Sequence, residues 1–338
     1  MPAQKRSVLD YRVAQVVEVL TRKSTEEEDS TPSLRWYARF LETGERNLYK
    51  LLQRALSLGF RFSVSVNYRR MGVLRAFALA DEEPRLPVPV RAVYKTLDGR
   101  FIVDFHVPQK CVSNIVEILD AAGVDYELVG VEWGGRPALA SIPFLSLQPS
   151  AEVSSETIEK MSSLVRDLLA RGPPASIIGR KYPVDRVGLA VLAKAMEDSM
   201  ESVANIASQL GLPPSKAQRK YYSMWQRRII MGYSISCAPY CGENVVFARV
   251  EHGDPARFAY SIAVLPPVLS AMVTVSKRGD ARGILLRLAG GGSLVSSALQ
   301  VVRRYWGNVV DVMIAYPVRV DGDYARRILD LTGDCGLR

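Results

Sequence analysis

Histidine is almost missing from this chain: His106 and His252 are the only two in 338 residues. Two isolated histidines give no metal-binding helix and no triad with a neighbouring Ser or Cys pattern. Cysteine is scarce too, with Cys111, Cys237, Cys241 and Cys335 scattered along the sequence. Cys237 and Cys241 form a C-x3-C pair, but no second pair stands at a zinc-like spacing. With no export signal, that scatter argues against a disulfide framework. A P-loop and a dinucleotide-binding glycine fingerprint are both lacking. These gaps predict no metal, no cofactor and no catalysis. The longest apolar stretch, 262–275, is short and broken by Pro266-Pro267, which predicts no membrane span. Met1-Pro2-Ala3-Gln4-Lys5-Arg6 lacks an apolar signal core, so the expected location is cytoplasmic.

What is present in excess is positive charge. The formal net charge is +9, with 48% hydrophobic and 23% charged residues. The composition suits a chain with real cores, and the charge suits a polyanionic partner, because Lys and Arg neutralise phosphates and release counterions. Arginine outnumbers lysine 33 to 11, a composition of archaeal or thermophilic type.

The chain also reads as one plan written twice. A strand over 100–105, a helix over 112–122 and a strand over 124–132 are matched by 282–288, 294–306 and 308–315. Gly123 and Gly307, 184 residues apart, stop the two helices, as glycine does where a helix ends left-handed. Upstream in the second half come strands over 245–251 and 269–276, with a helix over 254–265 opened by Asp254 and Pro255. That order predicts a ferredoxin-like βαββαβ sandwich. The first half has strands over 73–80 and 90–95. The segment 81–89 between them holds three prolines, so its helix should be truncated or absent.

A helical block precedes each sandwich. In the second half, 184–197 puts Val187, Val191, Leu192 and Ala195 on one face. A second helix, capped at Ser199, runs to Leu210 and stops at Gly211. The third helix, 215–230, carries Ser215, Lys216, Gln218, Arg219, Lys220, Arg227 and Arg228 and no acid, over a packing stripe of Ala217, Tyr221, Met224 and Trp225. Such side chains donate to phosphates or pair with base edges. The bland alternative is a solvated basic helix on a core; the third place in a three-helix unit favours DNA contact. In the first half, helices over 9–21, 31–41 and 45–58 lead to a strand over 60–67. Arg46, Asn47, Lys50 and Arg54 are the contacts expected there, with Arg69 and Arg70 beyond the strand; Glu45 opposes them in part.

Pro214-Ser215, Arg219, Trp225 and the run Arg228-Ile229-Ile230-Met231-Gly232-Tyr233 resemble the recognition helix and wing of feast/famine, leucine-responsive (Lrp/AsnC-like) transcriptional regulators. The resemblance runs from Val184 to about Arg319. It implies a winged unit for DNA and an α/β (ACT/RAM-like) sandwich for dimerisation and amino-acid sensing. In that family an effector-facing loop stands where Gly290-Gly291-Gly292-Ser293 stand here. Ser293 departs from the acidic residue usual at that helix start, and a flexible turn is the competing reading.

The expected architecture is therefore α+β: two winged helix-turn-helix domains (1–70 and 183–240) alternating with two ferredoxin-like sandwiches (71–145 and 241–320), a helical linker (146–182) and a C-terminal tail helix (321–338). The expected function is sequence-specific binding of double-stranded DNA by a transcriptional regulator with two non-identical reading heads. The expected partners are duplex DNA and a small effector such as an amino acid. The chain should form a pseudo-dimer within itself, and a homodimer is a further option. Two rival readings are a metabolite-sensing or protein-interaction module, and an RNA-binding protein.

Overall fold

A computed structural model describes residues 10–26, 33–142, 152–175, 180–237, 244–321 and 327. The first half begins with α1 (Tyr11–Glu26), α2 (Leu34–Phe40) and α3 (Glu45–Ser57), then β1 (Phe60–Val66) and a 3-10 turn over Tyr68–Met71. Four strands follow: β2 (Val73–Ala80), β3 (Val90–Thr96), β4 (Phe101–Pro108) and, after α4 (Val112–Ala121), β5 (Asp125–Gly134). Residues 81–89, with their three prolines, form no helix between β2 and β3. The connecting helix α5 (Ser155–Arg171) leads to the second half: α6 (Arg186–Glu197), α7 (Val203–Gln209), α8 (Pro214–Gln226) and β6 (Ile230–Cys237). Then come β7 (Val245–Glu251), α9 (Pro255–Ile262), β8 (Val268–Val275), β9 (Ala281–Ala289), α10 (Gly292–Arg304) and β10 (Asn308–Val320).

Short polar side chains set the helix starts. Ser33, Ser154, Asp185, Ser202 and Asp254 each accept a hydrogen bond from the backbone N–H three residues on. Each satisfies a donor that the helix's first turn leaves unpaired. The cap of α7 is thus Ser202 rather than Ser199, which is buried upstream.

The architecture corrects the expected fold class. Two winged helix-turn-helix domains alternating with two ferredoxin-like sandwiches do not form. The strands expected to be separate wings, β1 and β6, pair with each other antiparallel, Phe60 opposite Cys237 and Val64 opposite Tyr233. The other eight strands close into a single antiparallel barrel in the order β10-β3-β4-β2-β5-β8-β9-β7. The first half supplies β2 to β5 and the second β7 to β10, joined by β5 on β8 and by β10 on β3. The physical reason is edge pairing. A lone four-stranded sheet leaves two rows of unpaired backbone groups, and closure removes both. Strand patterning fixes which face of a strand is buried, but it carries no information on which edge meets which.

The interior alternates as the pleat demands. Phe77, Tyr94, Ile102, Phe247, Met272 and Leu285 fill one end of the barrel lumen. The opposite faces of β2 and β4 bury Ala76, Val103, Phe105 and Val107 against Ile115, Val116 and Leu119 of α4. On β10 the outer face, from Val310 through Ile314 to Val320, is exposed, while Met313 and Ala315 point inward and are buried. Cys111 is buried and disulfide-bonded, which four scattered cysteines do not foretell. Most of the expected tail helix (321–338) lies outside the described residues.

Gly135 ties the halves together beside β5. Its N–H donates to Leu269 O at 2.9 Å, and an added Cβ would stand 2.3 Å from the Val268 carbonyl oxygen. Backbone cannot yield as a side chain tip can. Gly135→Ala is therefore expected to destabilise by about 2–3 kcal/mol, read from the urea midpoint. Gly292→Ala, which meets nothing within 4 Å, is expected to be neutral or slightly stabilising.

Candidate functional site

Two regions concentrate chemistry: the exposed faces of α3 and α8, and a cluster of charges inside the barrel.

α8 buries Ala217, Tyr221, Met224 and Trp225 and turns the other side of its surface to solvent. Ser215, Lys216, Gln218, Arg219 and Arg227 are exposed. Lys220 is partly committed: its Nζ lies 2.5 Å from Asp185 Oδ2, and that hydrogen bond pulls the Asp185 carboxyl below its ordinary value. Arg227 stacks over the Tyr182 ring at 5.3 Å. Arg228 is buried at the turn into β6, in a left-handed backbone conformation.

α3 repeats the arrangement in the first half. Leu48, Leu52 and Ala55 are buried, while Arg46, Asn47, Lys50 and Arg54 are exposed. Asn47 donates to Thr43 Oγ1 at 2.8 Å, and Arg54 sits 3.2 Å from Asp10. Glu45 faces Arg35 at 3.7 Å. α1 packs on β6 and α6 on β1, so each helical unit rests on the other half's strand and the β1–β6 pair joins the two. Arg69 and Arg70 lie elsewhere. The Arg69 guanidinium lies beside Gly130 and Gly279, at the barrel wall. Arg70 is buried, donates to the Arg227 carbonyl and lies over Tyr182. The glycine loop is backbone at the start of α10: Gly291 is its N-cap residue, and the Ser293 hydroxyl accepts from Val153 N–H at 3.2 Å.

The second region was not apparent from spacing. Arg75, only 1% exposed, grips Asp104 with two bonds (Nε–Oδ1 2.8 Å, Nη2–Oδ2 2.6 Å) and reaches Glu132 Oε1 at 2.5 Å with Nη1. Arg91 approaches Asp104 at 3.8 Å. Tyr68 packs on His106 with ring centroids 4.1 Å apart. Burial alone would raise the Asp104 carboxyl, but Arg75 and Arg91 outweigh it and hold the group at about 2. Burial pushes His106 down to about 3, against the pull of Asp104 and with the help of Arg75 and Arg91. Tyr68 is raised to about 12, by burial first. The signal in the sequence is an ionisable residue at an inward position of two strands: Arg75 within β2 (Val73–Ala80), and Asp104 and His106 within β4 (Phe101–Pro108). Among the described residues no group of three or more His, Cys, Asp or Glu side chains could hold a metal ion, and no helix is long and apolar enough to cross a membrane.

No family model matches the chain, and no curated protein matches it. Among solved structures it is similar to the siroheme decarboxylase NirDL, at 11% identity and a TM-score of 0.47, over 94% of this chain and 97% of that one. The same enzyme in complex with an iron-uroporphyrin III analogue matches at 12% identity and 0.42, over 96% and 99%. A transcriptional regulatory protein of the ASNC family from Pyrococcus furiosus matches 43% of this chain and 97% of its own, at 19% identity and 0.24. With TM-scores below 0.5, these three likenesses leave function to be argued from the residues.

Proposed function

We propose that the chain binds double-stranded DNA as a transcriptional regulator, with α8 and α3 as two non-identical reading helices. The observation that carries this reading is the acid-free face of α8: Lys216, Arg219 and Arg227 stand exposed beside Ser215 and Gln218, and among the described residues the nearby Asp185 pairs with Lys220 rather than with Lys216 or Arg219. A surplus of nine positive charges supports the same partner. Arg46, Lys50 and Arg54 on α3 supply the second set, and the β1–β6 pairing makes one body of the two heads. Two unlike helices favour an asymmetric target. Arg70 and Arg228, buried within the protein, serve to position the heads, and Arg69, at the barrel wall, lies apart from them.

The test is fluorescence anisotropy of labelled duplex DNA across a salt series, for wild type and for Lys216→Ala with Arg219→Ala. Lys220 is left alone because Asp185 already holds it. The variant is expected to bind at least 10-fold more weakly, with the slope of log affinity against log salt smaller by about 2. Unchanged binding would remove α8 from the interface, and preference for single-stranded RNA would replace the partner.

A second reading, a barrel that handles a small molecule, is favoured by the buried ion cluster, because strongly perturbed groups gather where ligands are held or transformed. The two readings are compatible.

A further inference from the structure

We propose that the charged end of the barrel lumen binds a small carboxylate monoanion, held by Arg287 and by the hydroxyl of Ser270. The site is separate from α3 and α8 and does not depend on DNA binding.

Arg287 of β9 stands opposite Ser270 of β8 in the strand register. Both lie two residues from lumen-facing neighbours, Leu285 and Met272, and so share their inward face. Ser270 is 1% exposed. Among the described residues neither its Oγ nor the Nε of Arg287 has a hydrogen-bond partner, although both atoms are shielded from solvent. Arg75 makes the contrast, since each of its three nitrogens bonds a carboxylate. Buried donors without partners cost free energy, so the persistence of these two marks a place where a ligand completes the set.

Charge and shape narrow the ligand. Among the described residues three guanidiniums, Arg75, Arg91 and Arg287, face two carboxylates, Asp104 and Glu132, an excess of one positive charge in this cluster. Burial lowers the pKa of Arg287, Tyr94 and Glu132 offset it in part, and Arg75 and Arg91 add repulsion; a bound anion relieves both the burial and the repulsion. One surplus charge suits a monoanion, and Glu132 close by disfavours a second negative charge. The planar fork of a guanidinium matches a carboxylate with two parallel N–H···O bonds. The serine hydroxyl supplies a third donor. Apolar walls of Tyr94, Phe247 and Met272 strengthen such bonds by keeping the local dielectric low. Access is open at this end, because Arg91 keeps 31% of its side chain exposed and Arg287 is only half-buried.

The test follows the arginine Nε–H signals of the full chain, 15N-labelled, through an acetate titration at constant ionic strength. The Arg287 signal is identified by its loss in Arg287→Met. Its expected behaviour is a saturable downfield shift with acetate and none with acetamide, the neutral isostere. Ser270→Ala should weaken acetate binding several-fold while leaving the rest of the spectrum, and hence the fold, unchanged. An Arg287 signal that stays still throughout, or that moves as much with chloride or acetamide, overturns the proposal. If Arg287→Met fails to fold, Arg287→Lys, which keeps the charge but lacks Nε–H, identifies the signal instead.

Discussion

Arg75→Met is expected to lower stability by about 3–5 kcal/mol, seen as a large fall in the midpoint of denaturant unfolding. The methionine fills a similar volume, so the loss comes from charge rather than from a cavity. Asp104 is fully buried and Glu132 nearly so. Without Arg75 two carboxylates face each other in a low-dielectric lumen, and Arg91, 3.8 Å from Asp104, compensates only in part. Breaking one partner of a buried ion pair costs far more than replacing both. Arg75→Met with Asp104→Leu should therefore recover much of the loss, and a double-mutant cycle isolates the coupling. A single variant within 1 kcal/mol of wild type would show that the cluster does not brace the barrel.

His106 is expected to make the protein acid-sensitive well above the range in which carboxylates titrate. Its pKa falls from 6.5 to about 3 in the folded chain, so the neutral ring is the folded form. Between those values the unfolded chain binds the extra proton. Stability is then full above about 6.5 and declines as pH falls towards about 3, with a slope approaching 1.4 kcal/mol per pH unit. Asp104 adds a lower step. Its folded value of about 2 lies below the ordinary 3.8, so its contribution is present above about 4 and is lost as pH falls through about 2. Unfolding measured at pH 7 and at pH 5.5 isolates the histidine, because lowered carboxylates such as Glu132 and Asp104 begin to respond only nearer their unfolded values of 4.5 and 3.8. His106→Asn should flatten the difference; an equally steep loss in the variant would place the sensitivity elsewhere.

The local elements were largely legible in the sequence, and the assembly was not. The strands over 245–251 and 73–80 and the third helix of each half follow from period, glycine stops and short polar caps, which are properties of neighbouring residues. The barrel depends on β5 meeting β8 and β10 meeting β3, pairings across roughly 140 and 220 residues that no local pattern encodes. The same limit hid part of the candidate sites. Arg69, Arg70 and Arg228 look like further cations of a basic surface until the fold turns them towards Gly130, Tyr182 and the α8–β6 turn. Conversely, Arg75, Asp104 and Arg287 look like the polar interruptions of ordinary strands, and only closure of the barrel gathers them in one lumen. The outward placement of Ser215, Lys216, Gln218 and Arg219 was legible because the packing stripe of Ala217, Tyr221, Met224 and Trp225 fixes which side of α8 faces out.

The most direct test of the two-headed reading compares four proteins on one duplex: wild type, Lys216→Ala with Arg219→Ala on α8, Arg46→Ala with Lys50→Ala on α3, and all four changes together. Each helix variant is expected to weaken binding and to reduce the salt slope by about 2, and the combined variant to lose about twice that slope. Affinity and slope that stay at wild-type values in the combined variant would contradict the account.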